Sequence, residues 1–149
     1  MKIHFICRGN VLRSIIAETY LDSLRLAGLE VSSSGVLVDY ANPSEQGFFA
    51  NTISLLALHD IAGFAKSKPD QLIQDRVVGQ DITVCMNRRV FDEAIEKVAL
   101  PIDTIIWDIT DIGEGHRAFQ SGVRGLYEEE IYQEISYQIN GLIADHNLS

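Results

Sequence analysis

Basic residues, cysteine and proline are all scarce in this 149-residue chain. Twelve Lys and Arg stand against 21 Asp and Glu, for a formal net charge of −9. Such a surface repels polyanions, so the expected partners include no nucleic acid and no membrane. No run approaches the roughly 20 apolar residues of a membrane helix. A single Lys and a short apolar run before Cys7 are too little for a signal peptide. Two cysteines, Cys7 and Cys85, cannot build a disulfide framework, and a reduced, cytoplasmic protein is the expectation. His59 and His116 lack neighbours at metal-ligand spacing and His4 lies in an apolar run, so no metal site is expected. No repeat, low-complexity tract or linker rich in Gly, Pro or Ser divides the chain. One domain over residues 1–149 follows.

Hydrophobic residues make up 46% of the chain, enough for a sizeable core. Their pattern alternates strand with helix. Lys2 to Ile6 reads as a buried strand. A helix follows from about Leu12 to Ala27, with Gly28 as its cap. Leu29 to Ser33 forms a second strand ending at Gly35. Asn42-Pro43-Ser44 starts a helix with Phe49, Ile53 and Leu56 on one face. Ser67-Lys68-Pro69 opens a shorter one toward Asp75. Ile82 to Met86 and Thr104 to Trp107 are strands flanking a helix marked by Phe91, Ala94, Ile95 and Val98. Tyr127, Ile131, Ile135, Ile139 and Leu142 mark the last helix. Four alternations predict an α/β, single-domain, three-layer fold: a four-stranded parallel sheet with helices on both faces. Ligands bind beyond the carboxyl ends of such strands, which gathers Cys7, Gly35, Asn87 and the stretch from Asp108 to Asp111 on one edge.

The stretch Cys7-Arg8-Gly9-Asn10-Val11-Leu12-Arg13-Ser14 connects the first strand to the first helix. A loop of this kind aims several backbone N–H groups at one point, and the helix dipole adds positive potential there. A thiolate at its head is stabilised, with Arg13 adding to the effect. Five intervening residues let the loop ring a tetrahedral oxyanion, and the planar fork of Arg13 fits two of its oxygens. Gly9 permits a conformation that a side chain resists, and Asn10 ties the loop to itself. The competing reading is a buried cysteine that merely ends a strand, with Arg13 in solvent. The Cys-x5-Arg spacing alone does not choose between them.

The run Cys7-Arg8-Gly9-Asn10-Val11-Leu12-Arg13-Ser14-Ile15-Ile16-Ala17-Glu18 resembles the low-molecular-weight protein-tyrosine phosphatases. Ser33-Ser34-Gly35, Asp60-Ile61-Ala62-Gly63 and Asp81 to Met86 resemble further family segments in the expected order, so the likeness spans the chain. The resemblance implies a cysteine-dependent phosphatase acting on a phosphorylated protein or small aryl phosphate, with no cofactor. Cys7 is then the nucleophile. Arg8, Gly9, Asn10, Val11, Leu12, Arg13 and Ser14 form the phosphate cradle, and Ser14 supports the sulfur. Asp111 matches the general acid, with Asp108 as the other candidate. Tyr40 and Asp108 are expected at the substrate rim. Arg8 reads either as a selector of acidic substrates or as surface charge.

Several positions depart from the pattern. Leu12 stands where many members carry a second cysteine, Ile15 where they have proline, and Ile112 where proline follows the acid. Phe64 reads as the replacement of a histidine that supports the loop, which implies a weaker network through Asn10 and Ser33. Aromatic residues after Asp111 are absent. Cys85 reads as an inert core thiol. Two other functions fit: an arsenate reductase of the same fold, for which a relay through two further cysteines is missing, and a catalytically weak phosphate-binding regulatory module. A phosphatase for phosphoarginine or a small ester is a further variant. No feature of the sequence reports oligomeric state.

Overall fold

The computed structural model describes residues 1–109 and 124–149, with backbone alone for 124–127. The strands are β1 (Lys2–Cys7), β2 (Glu30–Gly35), β3 (Ile82–Cys85) and β4 (Ile105–Ile106). The helices are α1 (Arg13–Ser23), α2 (Pro43–Leu58), α3 (Gln74–Val77), α4 (Arg88–Ile95) and α5 (Arg124–Asp145), with a 3-10 turn at Ala62–Phe64. All strand pairings are parallel, in the order β2-β1-β3-β4.

Alternation along β1 sorts its side chains between two cores. Ile3, Phe5 and Cys7 join Ile16, Leu56 and Ile135 of α1, α2 and α5 on one face. Ile6 joins Val77, Cys85, Val90 and Ala94 on the other. A β1 buried on both sides explains its unbroken apolar sequence and confirms the expected three layers. The register pairs Cys7 with Gly35 and Ile6 with Cys85, so three strands end together at one edge. Asn42 caps α2 by accepting from the Ser44 amide at 2.9 Å, just before Pro43. No helix among the described residues is long and apolar enough to cross a membrane.

Three elements differ from the expectation. Helix α1 stops at Ser23, and Arg25 takes a left-handed φ of 55°. The chain must reverse there because Lys2 pairs with Glu30 and the N-terminal ammonium donates to the Gly28 carbonyl at 2.7 Å. Strand β4 is reduced to two residues, and the Trp107 and Ile109 amides continue its path by bonding to the Cys85 and Met86 carbonyls. The segment from Ser67 to Leu72 is not helical. Its backbone groups are engaged elsewhere: the Gly35 amide donates to the Asp70 carbonyl at 2.9 Å, and the Leu72 amide donates to the Gly35 carbonyl at 2.8 Å. Tertiary bonds outcompeted a short helix of marginal intrinsic stability.

Candidate active site

At the β1–α1 junction, Cys7 is only 3% exposed. Its sulfur lies 2.8 Å from Ser14 Oγ and accepts the Asn10 backbone N–H at 3.2 Å. Asn10 is fully buried and holds the left-handed conformation of the loop, with φ 55°. Gly9 was the expected left-handed residue; asparagine tolerates that region because its short amide bonds locally. Leu12, which precedes α1, gives it no side-chain cap, and the N–H groups of a helix's first turn have no intrahelical partners.

Gly35 is the glycine that the loop cannot spare. A Cβ there would lie 2.7 Å from the Arg8 carbonyl oxygen and 2.8 Å from the Asn10 nitrogen. Backbone packs directly on backbone, and the Val36 and Leu37 amides extend the contact to the Cys7 and Arg8 carbonyls. From the other side, buried Thr52 of α2 donates its hydroxyl to the Val11 carbonyl at 2.6 Å.

Phe64 does not leave the loop unsupported, because Lys66 occupies the supporting place. Its ammonium donates to Asn10 Oδ1 at 3.2 Å, to the Ser33 carbonyl at 2.8 Å and to Ser33 Oγ at 3.2 Å. It also pairs with Asp70 at 2.8 Å. The Asp70 amide adds a second donor to Asn10 Oδ1 at 2.8 Å. Asn10 Nδ2 in turn donates to Ser14 Oγ at 2.6 Å and Ser33 Oγ at 2.9 Å. Phe64 itself packs its ring under the Arg25 guanidinium, 5.8 Å away. The weaker network expected from Phe64 is offset two residues further on, where the long Lys66 side chain brings a donor to Asn10 and Ser33. An ammonium in an otherwise acidic protein, between Ala65 and Ser67, was the available signal.

Arg13 is buried, and its Nη1 donates to the Ile109 carbonyl at 3.2 Å. Asn87, which caps α4 through the Val90 amide, donates to that carbonyl at 3.4 Å. Arg13 is thereby tied to the segment that leads toward Asp111. Asp111, Ile112 and His116 lie outside the described residues; Asp108 lies within them and is exposed. A cleft of about 310 Å³ has Cys7, Gly9 and Arg13 at its base, with Val11, Leu12, Leu37 and Phe48 as apolar wall. Arg8, Asp39 and Glu45 complete it, and Arg8 lies 3.7 Å from Glu93. Tyr40 is not among the described residues that line this cleft, and its ring packs edge-on against Phe49 at 5.7 Å.

Burial shapes the charges beneath the loop. Burial pushes the Glu18 carboxyl up to about 7, against the opposing pull of Lys66 and a Ser33 hydrogen bond. Burial lowers His4 to about 4, with Lys66 and Arg76 adding to the effect; its ring nitrogens lie 2.7 Å from Ser32 and Ser34 hydroxyls. For Asp70, burial is outweighed by the Lys66 hydrogen bond and by the Lys66, Arg76 and Lys68 charges, so its carboxyl sits below the usual range. Burial alone pushes the Cys85 thiol up to about 12.

Among the described residues, no cluster of His, Cys, Asp and Glu could hold a metal ion. No family model and no curated protein matches the chain in sequence. Solved structures match it in fold. A low molecular weight protein tyrosine phosphatase from Streptococcus pyogenes is 18% identical, with a TM-score of 0.67 over 97% of this chain and 91% of that one. Its counterpart from T. tengcongensis is 19% identical, with a TM-score of 0.65 over 95% and 99% of the two chains. The arginine phosphatase YwlE, in a variant whose active-site serine carries phosphate, is 21% identical, with a TM-score of 0.53 over 92% and 95%. The chain thus has the fold of the low molecular weight protein tyrosine phosphatases.

Proposed function

We propose that the protein is a cysteine-dependent phosphatase. The observation that carries this reading is the Cys7 sulfur at the base of the cleft, held by the Ser14 hydroxyl and the Asn10 N–H, with Arg13 in the same cleft. The thiolate attacks phosphorus, an S–P bond forms, and the P–O bond to the leaving group breaks. Asp111 gives its proton to the departing oxygen. Water then attacks the phosphocysteine, Asp111 takes a proton from it, and phosphate leaves as the thiolate is restored. Arg13 and the backbone amides of the loop from Arg8 to Ser14 carry the equatorial charge. The Ser14 hydroxyl makes sulfur a better leaving group in the second step.

The apolar wall of Val11, Leu12, Leu37 and Phe48 favours an aryl phosphate or phosphotyrosine. A guanidinium leaving group is a second reading, favoured by the carboxylates of Asp39 and Glu45 in the same cleft. Relative rates on phosphotyrosine and phosphoarginine separate the two. An internal thiol relay of the arsenate-reductase kind is disfavoured, since Cys7 and Cys85 belong to cores on opposite faces of the sheet. The direct test is hydrolysis of an aryl phosphate by the wild type, Cys7→Ser and Asp111→Asn. Turnover should vanish in the first variant and fall strongly in the second. A wild type that binds phosphate without turnover from acidic to neutral pH would sink the phosphatase reading and favour a binding module.

A further inference from the structure

The bonds around Lys66 admit a single order of protons. An ammonium only donates, so Asn10 Oδ1 and Ser33 Oγ are acceptors toward it. With Oδ1 also taking the Asp70 amide, the Asn10 side chain cannot flip, and its Nδ2 must face Ser14 and Ser33. Ser14 Oγ accepts that N–H at 2.6 Å, which leaves its own proton to point at the Cys7 sulfur 2.8 Å away. Ser33 Oγ accepts from both Asn10 and Lys66, so its proton turns to the Glu18 carboxyl group.

Lys66 and the Asp70 amide both donate into this array, and one end of the array is the sulfur. The ammonium side chain is only 16% exposed, so solvent offers little to replace it. Its other contacts hold it in place: Asp70 at 2.8 Å and the Ser33 carbonyl at 2.8 Å. Asp70 is steadied from its far side by Arg76 at 3.5 Å.

We propose that Lys66 is a positioning residue for the nucleophile: its ammonium, with the Asp70 segment that it anchors, holds the Asn10 amide, and through it the Ser14 hydroxyl, in the orientation that donates to the Cys7 thiolate. The effect passes through two side chains and needs no contact with substrate. The proposal deepens the reading of Cys7 as a nucleophile and rests on it.

The test reads the thiolate directly. Iodoacetamide alkylation of Cys7 at a fixed pH of about 6 is followed by mass spectrometry in the wild type, Lys66→Met, Lys66→Gln and Lys66→Arg. Loss of one hydrogen bond to a charged group slows alkylation about tenfold or more in Lys66→Met and Lys66→Gln. Lys66→Arg, which keeps the charge and the donors, stays within about threefold of the wild type. With an aryl phosphate, the uncharged variants should lose kcat while KM changes little. Wild-type alkylation in Lys66→Gln overturns the proposal even where Lys66→Met fails to fold. Equal losses in Lys66→Arg and Lys66→Gln overturn it too, by reducing Lys66 to a packing role. A wild type that alkylates in a Lys66-dependent way yet hydrolyses no phosphate ester would refute the phosphatase and leave this proposal standing.

Discussion

Cys7 and Cys85 occupy matching places on neighbouring strands. Each is the last residue of a buried parallel strand, each precedes a turn into a helix, and both are almost completely buried. Their surroundings differ entirely. The chain after Cys7 takes seven residues to reach Ser14 and folds back with Asn10 left-handed, so a backbone N–H and a hydroxyl meet the sulfur. After Cys85, Met86 and Asn87 lead directly into α4, and Asn87 spends its carbonyl oxygen capping that helix. No hydrogen bond reaches the Cys85 sulfur from the described residues, and burial pushes its thiol up to about 12. Burial alone makes a thiol inert; burial with aimed donors makes a nucleophile site.

The largest contrast should come from removing each sulfur. Cys7→Ser should lose at least about 10⁴-fold in aryl phosphate turnover, because a serine hydroxyl is a far weaker nucleophile than a thiolate at neutral pH. Cys85→Ala should keep the wild-type rate and lose on the order of 1 kcal/mol of stability from the small cavity it leaves. Steady-state kinetics and urea unfolding measure the two. Comparable loss of turnover in both variants would break the contrast.

Gly35→Ala comes next. The new methyl group would meet loop backbone at 2.7–2.9 Å, so the cradle must shift. A displacement of about 1 Å costs roughly 10²-fold in rate, and inorganic phosphate should weaken as a competitive inhibitor by a similar factor. Undiminished inhibition would show that the loop tolerates the displacement. Ser14→Ala should cost less, about 10-fold, with a burst of phenol release as the phosphocysteine step slows. Rapid-mixing kinetics would reveal that burst.

The smallest effects lie in the pH dependence of stability. Glu18 has a folded pKa raised from 4.5 to about 7, so its contribution is complete below 4.5 and is lost as pH rises through 7. His4 is depressed from 6.5 to about 4, so its contribution is complete above 6.5 and is lost as pH falls through 4. The two oppose each other across the acidic range. Glu18→Gln should therefore gain on the order of 2 kcal/mol over the wild type at pH 8 and nothing at pH 4. His4→Gln should close its deficit, or gain, as pH falls from 6.5 to 4. Urea titrations at several pH values measure both slopes, and parallel curves for either variant would remove that group from the account.

Much of this arrangement was legible in the order of residues. The apolar run of β1, the loop from Cys7 to Ser14 and the parallel sheet follow from patterning, because adjacent residues and strand–helix periods carry that information. Tyr40 was expected at the substrate rim; its ring packs on Phe49, and Leu37 and Phe48 are among the described residues that line the cleft. The weaker loop support read from Phe64 is offset by Lys66, whose reach to Asn10 and Ser33 residue order does not display. The helix expected after Ser67 was overruled by bonds from Gly35 and Asn10, partners more than 30 residues away.

By itself, then, the sequence determined the layered fold, the cysteine at a strand end and the arginine six residues beyond it. Those are local patterns whose meaning survives without distant partners. Only the tertiary structure decided that Lys66, 56 positions from Asn10, stands beneath the loop. It also decided that the backbone at Gly35 leaves no room for a side chain. Both depend on surfaces brought together by folding, where a reach of a few ångströms, rather than residue order, selects which group meets which.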